Sequence, residues 1–181
     1  MITEYPQFFT ATILEWKKLL APDKYKAVIM DSLRFLVANK RIKLYGFVIM
    51  PNHFHLIWQM MDSIKQSDVQ RDFLKYTAQQ NKFDPQVNHP SVLKQFEVNV
   101  KDRAYQIWEH RPLSVPLWSS YFFEQKLDYI HNNPIQEKWK LSELPEKYHY
   151  SSAKYYQLNT DDWVLSLIMR INIQVVSGDN T

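Results

Sequence analysis

The sequence predicts an α+β fold of the ferredoxin-like kind, an antiparallel sheet with helices packed on it. Two observations predict it. Strand-like and helix-like stretches alternate in the order strand–helix–strand–strand–helix–strand–helix, mixing the two element types along one chain. Two of the strand-like runs, Ile42–Met50 and Phe54–Trp58, are separated only by the turn-forming pair Pro51-Asn52, and so tight a connection requires antiparallel pairing.

The elements follow in order. Phe8-Phe-Thr-Ala-Thr-Ile13 is β-branched and aromatic and reads as the first strand. Residues 23–39 place Tyr25, Val28, Ile29, Leu33, Leu36 and Val37 at helical spacing, with Pro22 where a first-turn proline is tolerated. After the hairpin, residues 66–80 read as a second helix with Val69, Phe73, Tyr76 and Thr77 on its apolar side. Asp84-Pro85 and His89-Pro90 predict a loop over 81–96, with a short helical piece near Val92–Phe96. Residues 104–109 alternate like a further strand, and 111–116, with two prolines, read as a connection. Residues 121–132 form a third helix ended by Pro134, because the residue before a proline is pushed out of helical geometry. No repeat, low-complexity segment or linker divides the chain, so residues 1–181 read as a single domain, with 157–181 a C-terminal extension.

Composition narrows the function classes. With 181 residues, 45% hydrophobic and 15% aromatic, the chain is rich enough in apolar side chains to bury a core. The absence of cysteine excludes disulfides, thiolate metal sites and cysteine nucleophiles, and fits a cytoplasmic location. No secretion signal or membrane-length apolar stretch is visible. A net charge of +3 permits a nucleic-acid partner without demanding one. The basic residues open to such a partner are Lys94, Lys101, Arg103, Arg111, Lys126, Lys138 and Lys140, each equally readable as part of an ordinary solvated face.

Two places point to chemistry. In an extended strand side chains alternate faces, so His53 and His55 project together while Phe54 points away. Two neutral imidazoles on one surface are half of a metal site, or two hydrogen-bonded histidines on a half-buried strand. On the third helix, Tyr129 and Asn133 lie four apart and share a face, whereas His131 points roughly the opposite way. An amide oxygen can complete a nitrogen–oxygen coordination set; equally, Tyr129 could only pack its ring and Asn133 only cap the helix.

Met50-Pro-Asn-His53-Phe-His55, then Tyr129-Ile-His-Asn-Asn133-Pro134, then Tyr148-His-Tyr-Ser151-Ser152-Ala-Lys-Tyr155 resemble the HUH single-tyrosine transposases, nearest to the REP-associated tyrosine transposases and their relatives. The likeness runs from about Phe8 to Tyr156. It implies an antiparallel sheet flanked by helices and cutting and rejoining of single-stranded or hairpin DNA through a 5′-phosphotyrosine. It implies Tyr129 as nucleophile, with Tyr121 as the fallback, and His53, His55 and Asn133 as ligands of a divalent cation, Mg²⁺ or Mn²⁺. Relatives are often dimers, some sharing the tyrosine helix between subunits, so the resemblance admits a homodimer. Two other readings stay open: a domesticated single-strand or hairpin binder without transposition, and a metal-dependent hydrolase that uses water.

Overall fold

The computed structural model describes residues 5–61 and 63–165. Four strands form the main sheet: β1 (Gln7–Thr12), β2 (Ile42–Ile49), β3 (His53–Met60) and β6 (Leu113–Pro116), in the order β2-β3-β1-β6 and antiparallel throughout. Between them run α1 (Asp23–Ala38), α2 (Gln66–Asn88) and α3 (Pro90–Lys94), then a separate two-stranded ribbon of β4 (Glu97–Val100) and β5 (Arg103–Tyr105). Helices α4 (Ser120–Asn132) and α5 (Ala153–Leu158) follow. Each outer pairing is reached by a helical crossover, β1–α1–β2 and β3–α2–β6, and β3 and β1 lie at the centre. That is the ferredoxin-like arrangement expected from the alternation of elements.

Alternation along β3 splits the core into two layers. Phe54 and Trp58 face the α1–α2 side, where their rings meet Phe73 of α2 at 5.7 and 5.5 Å and Phe9 of β1 at 5.8 and 5.0 Å. His53 and His55 face the other side, over which α4 lies. Gly46 sets how closely α4 approaches. A methyl group there would stand 2.8 Å from Leu127 Cδ1 and 3.1 Å from Ile130 Cδ1, both buried side chains of α4. The same position carries a β-bulge in the β2–β3 pairing.

The later motif, Tyr148–Ser152, covers the β2 edge. Ile49 N–H donates to the Tyr150 carbonyl at 2.9 Å, Ser152 N–H to the Phe47 carbonyl at 3.0 Å, and the Tyr148 hydroxyl to the Ile49 carbonyl at 2.8 Å. An edge strand so covered does not template pairing with another chain.

Three stretches differ from the sequence reading. Helix α2 continues through Pro85 to Asn88 where a loop was expected. Pro85 removes one helical hydrogen bond, but Asp84 accepts from Tyr25 at 2.6 Å and from Asn88 at 2.8 Å and pairs with Lys24 at 2.6 Å, tying the turn to α1. The strand expected over 104–109 divides: residues 103–105 pair with β4, while Leu14 N–H donates to the Ile107 carbonyl and Glu109 N–H to the Thr12 carbonyl, both at 2.8 Å. The connection expected over 111–116 contains β6, whose terminal Pro116 is tolerated because β6 is an edge. Residues 166–181, most of the expected C-terminal extension, lie outside the described residues.

Gly46→Ala should lower stability by about 1–3 kcal/mol through overpacking. In a Leu127→Ala background, which removes the nearest obstructing atom, the added cost should shrink markedly; denaturant unfolding of the four proteins in that cycle measures it.

Candidate active site

His53 and His55 stand side by side on β3, both buried, with ring centroids 4.7 Å apart. The turn between β2 and β3 fixes the first ring. Asn52 Nδ2 donates to the Trp16 carbonyl at 3.1 Å, which turns Asn52 Oδ1 toward His53 Nδ1 at 2.6 Å. Nδ1 therefore bears the proton, and Nε2 presents a lone pair. His55 Nδ1 lies 2.7 Å from Thr10 Oγ1, its cross-strand neighbour on β1, and its buried Nε2 has no hydrogen-bond partner.

Both imidazoles are held uncharged. Burial, helped by the Lys138 charge, lowers the His53 pKa to about 4. Burial, His53 itself, Lys126 and Lys138 hold His55 well below the ordinary histidine range. A neutral imidazole is the form that binds a metal.

Helix α4 supplies the second half. Ser119 caps it by accepting from the Phe122 N–H at 3.3 Å. Phe122, Lys126, Tyr129 and Asn133 then recur at helical spacing along one stripe. The half-exposed Tyr129 ring packs edge-on against His55, centroids 5.3 Å apart, and against Phe8 at 6.2 Å; Phe8 in turn stacks on His55 at 5.2 Å. The phenol thus meets the histidine pair within one chain. Asn133, one turn further, is buried, and its Oδ1 has no hydrogen-bond partner. It occupies the helix C-cap position by its backbone, which continues into a 3-10 turn, so its side chain is not spent on capping.

The remaining expectations sort by position. His131 points into the core, where its Nε2 lies 2.8 Å from Ser152 Oγ, and burial lowers its pKa to about 4. Tyr121 is exposed and touches Phe122 rather than the histidines. Of the basic residues, Lys126 and Lys138 come to the site, whereas Lys140 pairs with Glu137, and Arg103 with Asp102. Sequence reading missed Thr10 and Asn52 as orienting partners of the two rings. Asn52 sits inside the histidine motif and was within reach; Thr10 depends on strand register. It also missed Trp139, whose ring lies 5.7 Å from His53.

The arrangement fits a divalent cation by its donors: an oriented imidazole lone pair at His53 Nε2, a second at His55 Nε2 when Thr10 accepts from Nδ1, and an amide oxygen, with two of these three atoms buried and otherwise unpartnered. Among the described residues no group of three or more His, Cys, Asp or Glu offers an alternative, and no helix is long and apolar enough to cross a membrane.

A REP-associated tyrosine transposase, solved bound to a REP hairpin, aligns with 90% of this chain and 85% of its own at a TM-score of 0.62 and 17% identity. This chain has the tyrosine transposase fold. A candidate transposase from Deinococcus radiodurans R1 aligns over 70% of this chain and 88% of its own, at a TM-score of 0.48 and 15% identity. No family model matches the sequence, and no curated protein does. The transposase fold therefore agrees with the architecture expected from the sequence, and was detected through structure where sequence comparison finds nothing.

Acid should destabilise the protein through its buried histidines. Their folded pKa values lie below the unfolded value of 6.5, so stability is complete above about pH 6.5 and lost as pH falls toward about 4, where the unfolded chain takes up protons that His53 and His131 refuse. Each pKa unit is worth about 1.4 kcal/mol. His131→Gln should flatten this dependence in urea titrations across that range.

Proposed function

We propose that the protein cuts and rejoins single-stranded DNA through Tyr129, with a divalent cation, Mg²⁺ or Mn²⁺, held by His53, His55 and Asn133. The observation that supports this most is the packing of the Tyr129 ring against His55, whose buried Nε2 has no protein partner.

In this reading the Tyr129 oxygen attacks a phosphodiester phosphorus in line with the bond to the 3′ oxygen. A Tyr–O–P bond forms, the P–O3′ bond breaks, and the departing oxygen takes a proton to become a free 3′-hydroxyl. A cation at the histidines supplies Lewis acidity at a non-bridging oxygen, offsetting the charge that repels nucleophiles. Thr10 and Asn52 keep the two rings aimed; Phe8 holds Tyr129 beside them. Attack of a 3′-hydroxyl on the phosphotyrosine reverses the bond changes and reseals DNA without a nucleotide cofactor, because the covalent link conserves the bond. Trp16, exposed and 6.3 Å from His53, offers a ring face on which an unpaired base can stack.

The solved relative holds a REP hairpin, and we extend that substrate class, a DNA hairpin with an adjoining single strand, to this chain. The contact of Tyr129 with His55 of its own chain favours a site complete in one protomer; a dimer is then not required for chemistry.

Tyr129→Phe should abolish covalent protein–DNA adducts on denaturing gels while leaving DNA binding within a few-fold of wild type; adducts of normal yield would remove Tyr129 from the mechanism. His53→Ala and His55→Ala should each reduce Mn²⁺-dependent cleavage at least about a hundredfold. Thr10→Val, which deprives His55 Nδ1 of its partner, should weaken Mn²⁺ binding by about tenfold.

A further inference from the structure

The buried, unpartnered polar atoms around the histidines are of two opposite kinds. His55 Nε2 and Asn133 Oδ1 are lone pairs that suit a cation. Trp139 Nε1 is an N–H donor that is buried without an acceptor, on a ring 5.7 Å from His53. A donor left so calls for an acceptor such as an anionic oxygen.

Charge around the site points the same way. Lys126 Nζ lies 4.8 Å from the Phe8 ring centroid and 5.6 Å from that of Tyr129, and Lys138 Nζ lies 5.8 Å from that of Trp139. Both cations are close enough to the histidines to disfavour their protonation. Among the described residues neither lysine forms an ion pair. A dication bound here alone would therefore meet uncharged ligands and two nearby positive charges, whereas a bound phosphodiester would relieve both lysines and the cation at once.

We propose that Lys126, Lys138 and the Trp139 indole N–H form an anion subsite beside the His53–His55 pair, so that the divalent cation and a DNA phosphate bind as a unit, each strengthening the other. The inference rests on the metal and DNA reading above and adds that the free protein is a poor cation binder. By linkage the coupling is reciprocal: the factor by which DNA tightens the cation is the factor by which the cation tightens DNA.

The test uses Tyr129→Phe protein, which cannot cleave in this reading, and follows free Mn²⁺ by electron paramagnetic resonance. Titrations are run with and without a pool of short single-stranded oligodeoxynucleotides of randomised sequence, and Mn²⁺ held by DNA alone is subtracted. DNA should raise Mn²⁺ affinity at least about tenfold. Adding Lys126→Gln or Lys138→Gln should raise Mn²⁺ affinity several-fold in the absence of DNA, by removing repulsion, and shrink the enhancement by DNA. Trp139→Phe, which keeps an aromatic ring and loses the donor, should leave the DNA-free affinity unchanged and also shrink the enhancement. Mn²⁺ affinity equal with and without DNA would overturn the coupled subsite while leaving the proposed function standing. So would lysine variants that bind Mn²⁺ more weakly without DNA, the result expected of a merely structural role. Absence of Mn²⁺ binding under every condition would overturn both.

Discussion

The site depends on the close approach of α4 to β2 at Gly46. Any larger residue would meet Leu127 and Ile130, and a helix lifted off the sheet would carry Tyr129 away from His55. The contact is reinforced at the end of the helix. His131 Nε2 lies 2.8 Å from Ser152 Oγ, which accepts from the Phe47 N–H at 2.9 Å. Helix, sheet edge and covering segment thus meet in one buried polar knot. The three sequence motifs, far apart along the chain, are in this sense one structural unit: the histidines on β3, the tyrosine helix above them, and the Ser-Ser-Ala segment that locks the helix end to β2.

The second constraint is electrostatic. Two imidazoles are kept neutral by burial, and no carboxylate joins them in a metal-binding cluster among the described residues. Sites of dedicated cation affinity use negative ligands to offset the cost of stripping water from a dication. This one has lone pairs and nearby lysines instead, which suits a reaction whose substrate brings the negative charge. The modest net charge of +3 is compatible with a nucleic-acid substrate on the same ground, since what matters is where a few unpaired cations stand.

Much of this was legible in the sequence because it is local. Period-two alternation placed His53 and His55 on one face, and the four-residue spacing joined Tyr129 to Asn133 while turning His131 inward. What was not legible depended on pairings between distant segments. Thr10 becomes the partner of His55 only through the β1–β3 register, and β6 escaped notice because its two flanking prolines look like a loop and are tolerated only at an edge. Helix α2 outran its expected end because Tyr25 and Lys24, some sixty residues earlier, hold Asp84. Trp139 and Lys138 arrive at the histidines from a turn with no regular pattern at all.

The most direct measurement is a crystal structure of the protein soaked with Mn²⁺ in the presence of a non-cleavable single-stranded oligonucleotide, with the metal located by anomalous scattering. The account predicts one peak bonded to His53 Nε2, His55 Nε2 and Asn133 Oδ1, with Tyr129 of the same chain facing a phosphate that shares the metal. A peak held by other residues, or none at the histidines while the oligonucleotide is bound, would contradict it.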